Sequence, residues 1–252
     1  MRFGLGSGLG AGQSSGGLTI VRDGLVMQHN YNSSTVQPVS DGAAYFDATG
    51  DYIDCGTDAS LRTSTFTVVA WAKFTNNAIT GDDPGTNCGI ISSANSSTDV
   101  GFSITKPKTN KIEFRIGNGT GLDNSHSTTV TTADRWYHVA MTYDGVYLKA
   151  YVDGVLEDYD KYTTFVVATG HFGIGKYYAH TTTLLADGYI ANVGYWSEAL
   201  TQSQIKSIMW KPYSNLIATE KASLVSWWAL DEGTGTTAND SHGSNNGSAT
   251  GF

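Results

Sequence analysis

Cysteine, proline and clustered positive charge are all scarce in this chain of 252 residues, and each scarcity excludes a class of protein. Two cysteines, Cys55 and Cys88, cannot make a disulfide framework at this length, and no metal-type cysteine spacing is present. They could pair, but their number favours two separate thiols in a reduced compartment. Lysine and arginine total 15 and never cluster, and the net charge is −8, so no footprint exists for a phosphate backbone. No nucleic-acid partner is expected. No apolar run approaches a membrane span. The opening MRFGLGSGLGAGQSSGG alternates glycine with single apolar residues where a signal peptide needs a continuous apolar segment. A soluble protein without membrane insertion is therefore expected.

Glycine (30 residues), tyrosine (14), serine and threonine are what the chain has in quantity, and 40% of it is hydrophobic. That mixture suits many short strands joined by glycine turns around a sizeable core. Residues 1–17 are too rich in glycine to form a core and read as a flexible leader or anchoring strap, leaving 18–252 as one domain. AAYFDATGDYIDCG reads as two short strands around a Thr49-Gly50 turn. FTVVAWAKF, residues 66–74, places Phe66, Val68, Ala70 and Ala72 on one face and Val69 and Trp71 on the other. Both faces are partly apolar, which predicts a central strand. GIISS, VGFSIT and KIEFRIGNG add strands, and 75–87 reads as a loop. In RWYHVAMTYDGVYLKAYVDGVLED, Asp144-Gly145 and Asp153-Gly154 separate apolar runs, predicting an antiparallel meander with two-residue turns of positive φ. HFGIGKYY and LLADGYIANVGYW continue the strands. Thr201 and Gln204 form a capping-box pattern before Ile205, Ile208 and Met209, predicting one short helix over 201–210 that Pro212 stops. The expected place of that helix is one edge of a sandwich. Trp71, Trp136, Trp196 and Trp227 fall inside strand patterns and are expected in the core.

FTVVAWAKF, the double Asp-Gly meander and DGYIANVGYWSEALTQSQI closely resemble laminin-G-like domains of the concanavalin A-like jelly-roll superfamily, over roughly residues 43–210. The resemblance implies an all-β, two-sheet antiparallel jelly-roll sandwich. LVSWWALDEGTGTTANDSHGSNNG resembles the segment that usually opens such a domain, yet here it comes last, so 222–252 is expected to close the sandwich or add an edge strand.

Glucanases share this superfamily, and their chemistry needs two carboxyl groups in one cleft. The chain has five glutamates, Glu113, Glu157, Glu198, Glu220 and Glu232, and no E-x-D-x-x-E strand. Glu157, Asp158 and Asp160 cluster beside a hairpin turn, where a solvated edge is the expected role. His29, His126, His138, His171, His180 and His242 are scattered, and His138 reads as a packed core residue. No nucleophile elbow or H-E-x-x-H occurs, so an enzyme is not expected, and a glycoside hydrolase is the disfavoured reading.

For binding, GKYYAHTTT offers Tyr177, Tyr178 and His180, and DYDKY adds Tyr159 and Tyr162, as a stacking platform for a glycan. Asp47, Asp51 and Asp240 lie in turns whose oxygens suit calcium, although no cofactor is required. Ala191 stands where the resemblance implies a carboxylate ligand. The resemblance further implies a non-catalytic, virion-associated structural or decoration protein of bacteriophage type. Its expected partners are virion proteins or further copies of itself, and host or environmental glycans. The alternative is a calcium-assisted carbohydrate-binding lectin.

Overall fold

The computed structural model describes residues 42–75, 88–94, 100–107, 109–177 and 184–252. Its strands are, in order, β1 (Ala44–Asp47), β2 (Tyr52–Asp54), β3 (Phe66–Phe74), β4 (Cys88–Ala94), β5 (Phe102–Lys106) and β6 (Lys111–Gly117). β7 (Leu122–Val130), β8 (Trp136–Tyr143), β9 (Tyr147–Val152), β10 (Val155–Lys161), β11 (His171–Ile174), β12 (Lys176–Tyr177) and β13 (Leu184–Leu185) follow. β14 (Asp187–Trp196), helices α1 (Gln202–Ile208) and α2 (Ala218–Lys221), then β15 (Leu224–Trp228), β16 (Thr237–Ala238) and β17 (Gly247–Thr250) complete the chain.

Two antiparallel sheets make the expected sandwich. The first runs β1-β14-β3-β8-β9-β10, with β15 also on β14. The second runs β16-β17-β2-β11-β4-β5-β6-β7. β3 is central, and its alternation works as the sequence predicts: Phe66, Val68, Ala70 and Ala72 enter the core between the sheets, while Val69 lies on the other face. The meander is β8-β9-β10. Asp153 (φ 49) and Gly154 (φ 73) form a two-residue turn between the paired Val152 and Val155. At the first pair only Gly145 has positive φ (93), and the Asp144 carboxylate accepts the N–H groups of Val146 and Tyr147.

The strands on either side of Thr49-Gly50 both form, but they belong to different sheets: β1 pairs with β14 and β2 with β11 and β17. The turn is a crossing between layers, not a hairpin. α1 carries the predicted capping box, with the Thr201 N–H donating to Gln204 Oε1 at 2.8 Å and the Gln204 N–H to Thr201 Oγ1 at 3.3 Å. It sits differently from expectation. Ile205 and Ile208 cover Val69, Ala140, Tyr151 and Trp196 on the outer face of the first sheet, so the helix caps a face and not an edge. That face is apolar at these positions and could not be left in water without losing about 25 cal/mol per Å². α2 adds to the same cover through Glu220, whose carboxylate accepts from Lys211 Nζ (2.6 Å), Ser207 Oγ (2.6 Å) and the Ile217 N–H (3.0 Å).

The C-terminal segment contributes to both sheets. β15 continues the line of β1 along β14, with β1 on residues 187–190 and β15 on 193–196. β17 pairs with β2. Trp228 is fully buried, its indole N–H donating to Asn245 O at 2.8 Å. Cys55 and Cys88 are free thiols in the core, and burial pushes the Cys88 thiol up to about 11.

β7, LDNSHSTTV, is hydrophilic and forms through pairing with β6. Its other side meets the acidic cluster of β10. The N–H groups of His126 and Thr129 donate to Asp158 Oδ2 and Glu157 Oε2, both at 2.9 Å, and Ser125 Oγ donates to Asp160 Oδ2 at 3.0 Å. The carboxylates therefore seal one sheet edge against the other instead of lying simply solvated, which answers the need to cover unpaired strand donors.

Candidate functional site

The outer face of the second sheet is where polar side chains converge. Pairing register lines up Ser248, Asp54, Gly173, Ser92, Ser103, Arg115 and Asn124 in one row across seven strands. Their strand neighbours Ile53, Phe172, Ile91, Ile104 and Phe114 point the other way, into the core. The adjacent row is Gly89, Thr105, Glu113 and His126. Glycine and serine make a low floor in the middle, and larger polar groups rise at the ends.

At one end, Arg115 donates to Glu113 in a short contact, Thr105 Oγ1 donates to the same carboxylate at 3.4 Å, and His126 Nε2 lies 3.2 Å from Glu113 Oε1. At the other, His171 Nδ1 lies 2.9 Å from the Asp54 carboxylate. Ser103 Oγ is buried and has no hydrogen-bond partner among the described residues. A buried hydroxyl left so costs free energy unless a ligand or water meets it.

The β12–β13 hairpin lies on this face. Ser92 Oγ donates to Lys176 O at 2.8 Å, and a Cβ at position 89 would stand 2.4 Å from the Tyr177 nitrogen. Only glycine at 89 lets the hairpin backbone approach so closely. Tyr177 thereby reaches the Arg115 guanidinium, 5.7 Å from its ring centroid.

The other predicted glycan residues part company. Tyr178 and His180 lie outside the described residues. Tyr159 is 60% exposed and lies beside Tyr147 on the first sheet, with ring centroids 6.4 Å apart. Tyr162 donates its hydroxyl to Asn124 O at 2.9 Å and packs against the core; burial, then Asp160, pushes its phenol up to about 12. It has a structural task.

Asp47 and Asp51 lie together, but among the described residues no three His, Cys, Asp or Glu side chains could hold a metal ion jointly. Asp240 accepts four backbone N–H groups, from Trp227, His242, Gly243 and Asn245, each at 3.0 Å. Burial alone would raise its pKa, but those donors outweigh burial and hold it below the usual carboxylate value. With donors on both oxygens it organises a loop. Asp51 accepts the Asp47 N–H at 3.0 Å, and burial, followed by the Asp47 charge, raises its pKa. Calcium wants six to eight oxygens, and both carboxylate oxygens of Asp240 are already engaged by backbone N–H groups.

His138 is buried against Trp71 (ring centroids 5.3 Å), and burial lowers its pKa to about 3, so it stays neutral. Trp71, Trp196 and Trp227 are buried as expected. Trp136 is not: it begins β8 on the outer face of the first sheet and is only half-buried. Sequence reasoning missed Glu113, Arg115 and His126 as a set. The signal was the alternation in KIEFRIG, where Glu113 and Arg115 interrupt Ile112, Phe114 and Ile116 on every second position.

A laminin-G-type family model (Laminin_G_3) described as the concanavalin A-like lectin/glucanases superfamily matches residues 47–206. A search of curated protein sequences finds no match. Among solved structures, a candidate carbohydrate binding protein from Bacteroides ovatus superposes with a TM-score of 0.60 at 21% identity, over 82% of this chain and 57% of that one. Domain 4 of the arabinanase AbnA from Geobacillus stearothermophilus, in complex with arabinotriose, gives 0.52 at 17% identity, over 68% and 79%. The CBM40 of Ruminococcus gnavus IT-sialidase, bound to α2,3-sialyllactose, gives 0.51 at 14%, over 68% and 99%. The chain thus spans little more than half of the Bacteroides protein.

Proposed function

Because the chain belongs to the concanavalin A-like lectin/glucanases superfamily, we propose that it is a non-catalytic glycan-binding module that holds sugar on the outer face of its second sheet. One observation carries this reading: the row of polar residues across the second sheet, in which the half-buried Arg115 stands above a floor of glycine and serine. A sugar needs fixed donors and acceptors along its hydroxyls, and that face supplies them at Arg115 and the half-exposed His126, while Tyr177, 3% exposed, backs the Arg115 guanidinium instead of offering a ring. Similar folds whose names record carbohydrate binding or a bound sugar support it. Asp54 and Glu113, the carboxylates of the two rows, are each held by an imidazole or guanidinium, which supports holding over hydrolysis.

The virion setting implied by the resemblance rests on the glycine-rich residues 1–17, which lie outside the described residues. Particle attachment unchanged after their removal contradicts it.

On a glycan array, the purified protein is expected to give specific signals that persist in EDTA, with the bound sugar recovered intact. A blank array contradicts the binding reading. Loss of signal in EDTA restores calcium to the account, and released reducing ends restore catalysis.

A further inference from the structure

On the opposite side of the molecule, four strands of the first sheet bring Tyr45, Tyr189, Lys73 and Trp136 into one transverse row. Tyr45 pairs with Tyr189 in register, Tyr189 with Lys73, and Lys73 with Trp136. In sequence they are far apart, so only the register assembles them. Centroids of Tyr45 and Tyr189 are 4.9 Å apart, and those of Tyr189 and Trp136 are 6.3 Å apart. Lys73 Nζ lies 4.3 Å from the Tyr189 ring and 5.5 Å from the Trp136 ring. No hydrogen bond or ion pair engages that ammonium among the described residues.

The helices cover this same sheet face at Val69, Ala140 and Trp196, but the aromatic row stays open, with Tyr45 45% exposed and the others half-buried. An open row of large rings is costly to hydrate and has a use when a ligand lies on it. Three strand spacings make the row about 14 Å wide, room for more than one sugar ring. Asp47 and Asp187 oppose each other in register one step along the same face. Lys106 also faces the Asp187 charge, so two ammoniums balance the two carboxylates. The patch has no excess of positive charge to draw an acidic sugar or phosphate, whereas a neutral glycan can accept from Lys73, donate to the aspartates and stack its C–H faces on the rings.

We propose that Tyr45, Tyr189, Lys73 and Trp136 form a second glycan site, specific for a neutral oligosaccharide and independent of the second sheet. Two sites on opposite sheets would let one module bridge two glycan chains or hold one polymer by avidity.

The indole N–H resonance of Trp136, assigned by its disappearance in Trp136→Phe, reports on this site in the whole chain. Maltohexaose, cellohexaose and xylohexaose are titrated, with trigalacturonate as the acidic control. The expected result is a saturable shift with at least one neutral sugar, weakened tenfold or more by Tyr189→Ala and by the solvent-exposed Tyr45→Ala. Arg115→Lys, on the second sheet, is expected to leave it unchanged. The proposal is overturned if no neutral sugar moves the resonance, if trigalacturonate moves it as strongly, or if Arg115→Lys abolishes the shift. The last outcome would place the only site on the second sheet, so failure here is distinguishable from failure of the function proposed above.

Discussion

Trp228→Ala is expected to destabilise the folded chain by about 3–5 kcal/mol, the range for emptying a large aromatic site. Trp228 has no exposed surface, packs its ring 5.2 Å from Phe172, and donates its indole N–H to Asn245 O. Truncation leaves a cavity in the main core and strips a buried carbonyl of its donor, and these two costs add. It also loosens β15 from β14, where Trp228 opposes Val193. For a domain of this size the melting temperature should fall by roughly 10 °C. This residue lies past position 206, where the family match ends. A fall of under ~1 kcal/mol, the ordinary cost of a point mutation, would mean that the C-terminal segment does not fold cooperatively with the rest.

The second large effect depends on pH. His138 is held neutral with a pKa near 3 by burial, against 6.5 when unfolded. Between those values the unfolded chain binds a proton that the folded chain refuses. Stability from this group is therefore complete above pH 6.5 and is lost as pH falls towards 3. At pH 4 the loss amounts to ~3 kcal/mol. His138→Leu keeps the volume beside Trp71 and cannot take the proton. Nδ1 of His138 has no hydrogen-bond partner among the described residues, so the replacement breaks no bond there, and the His138 backbone N–H still donates to Asp153 Oδ1. Asp240 and Glu220, whose pKa values are lowered, lose stability at acid pH in both proteins, so they cancel in the difference. Urea unfolding at pH 8 and pH 4 should show the variant gaining ~3 kcal/mol on the wild type across that interval. Parallel losses in the two proteins would mean that His138 titrates normally, and hence that the face beneath α1 is open to water.

The sandwich itself was legible because its strongest strands carry their own instructions. β3 alternates two apolar faces, and Asp153-Gly154 allows only the tight turn it makes. α1 is announced by Thr201 and Gln204, which act on neighbours in sequence. β7 was not legible, because nothing in LDNSHSTTV is apolar enough to declare a strand; β6 and the β10 carboxylates impose it from outside. Trp136 illustrates the same limit. A tryptophan at the start of a strand reads as core, yet which face it takes depends on the register with Lys73, and that register places it outside. The binding faces were hidden for a related reason. Arg115, Ser103 and Ser92 come from three strands, as do Tyr189, Lys73 and Trp136. Tyr177 was visible as an aromatic in a turn, but its Arg115 partner was not, because the contact requires Gly89 beneath the hairpin.

The most direct test is calorimetric titration of the strongest array glycan into the wild type, Arg115→Lys and His126→Ala. Arg115→Lys retains a positive charge opposite Glu113 but loses the planar fork, and His126 is half-exposed, so both proteins should fold. Binding on the second sheet predicts that Arg115→Lys weakens affinity by about tenfold or more, the equivalent of one charge-assisted hydrogen bond, with a smaller loss in His126→Ala. Wild-type affinity in both variants would contradict it and move the sugar elsewhere on the molecule.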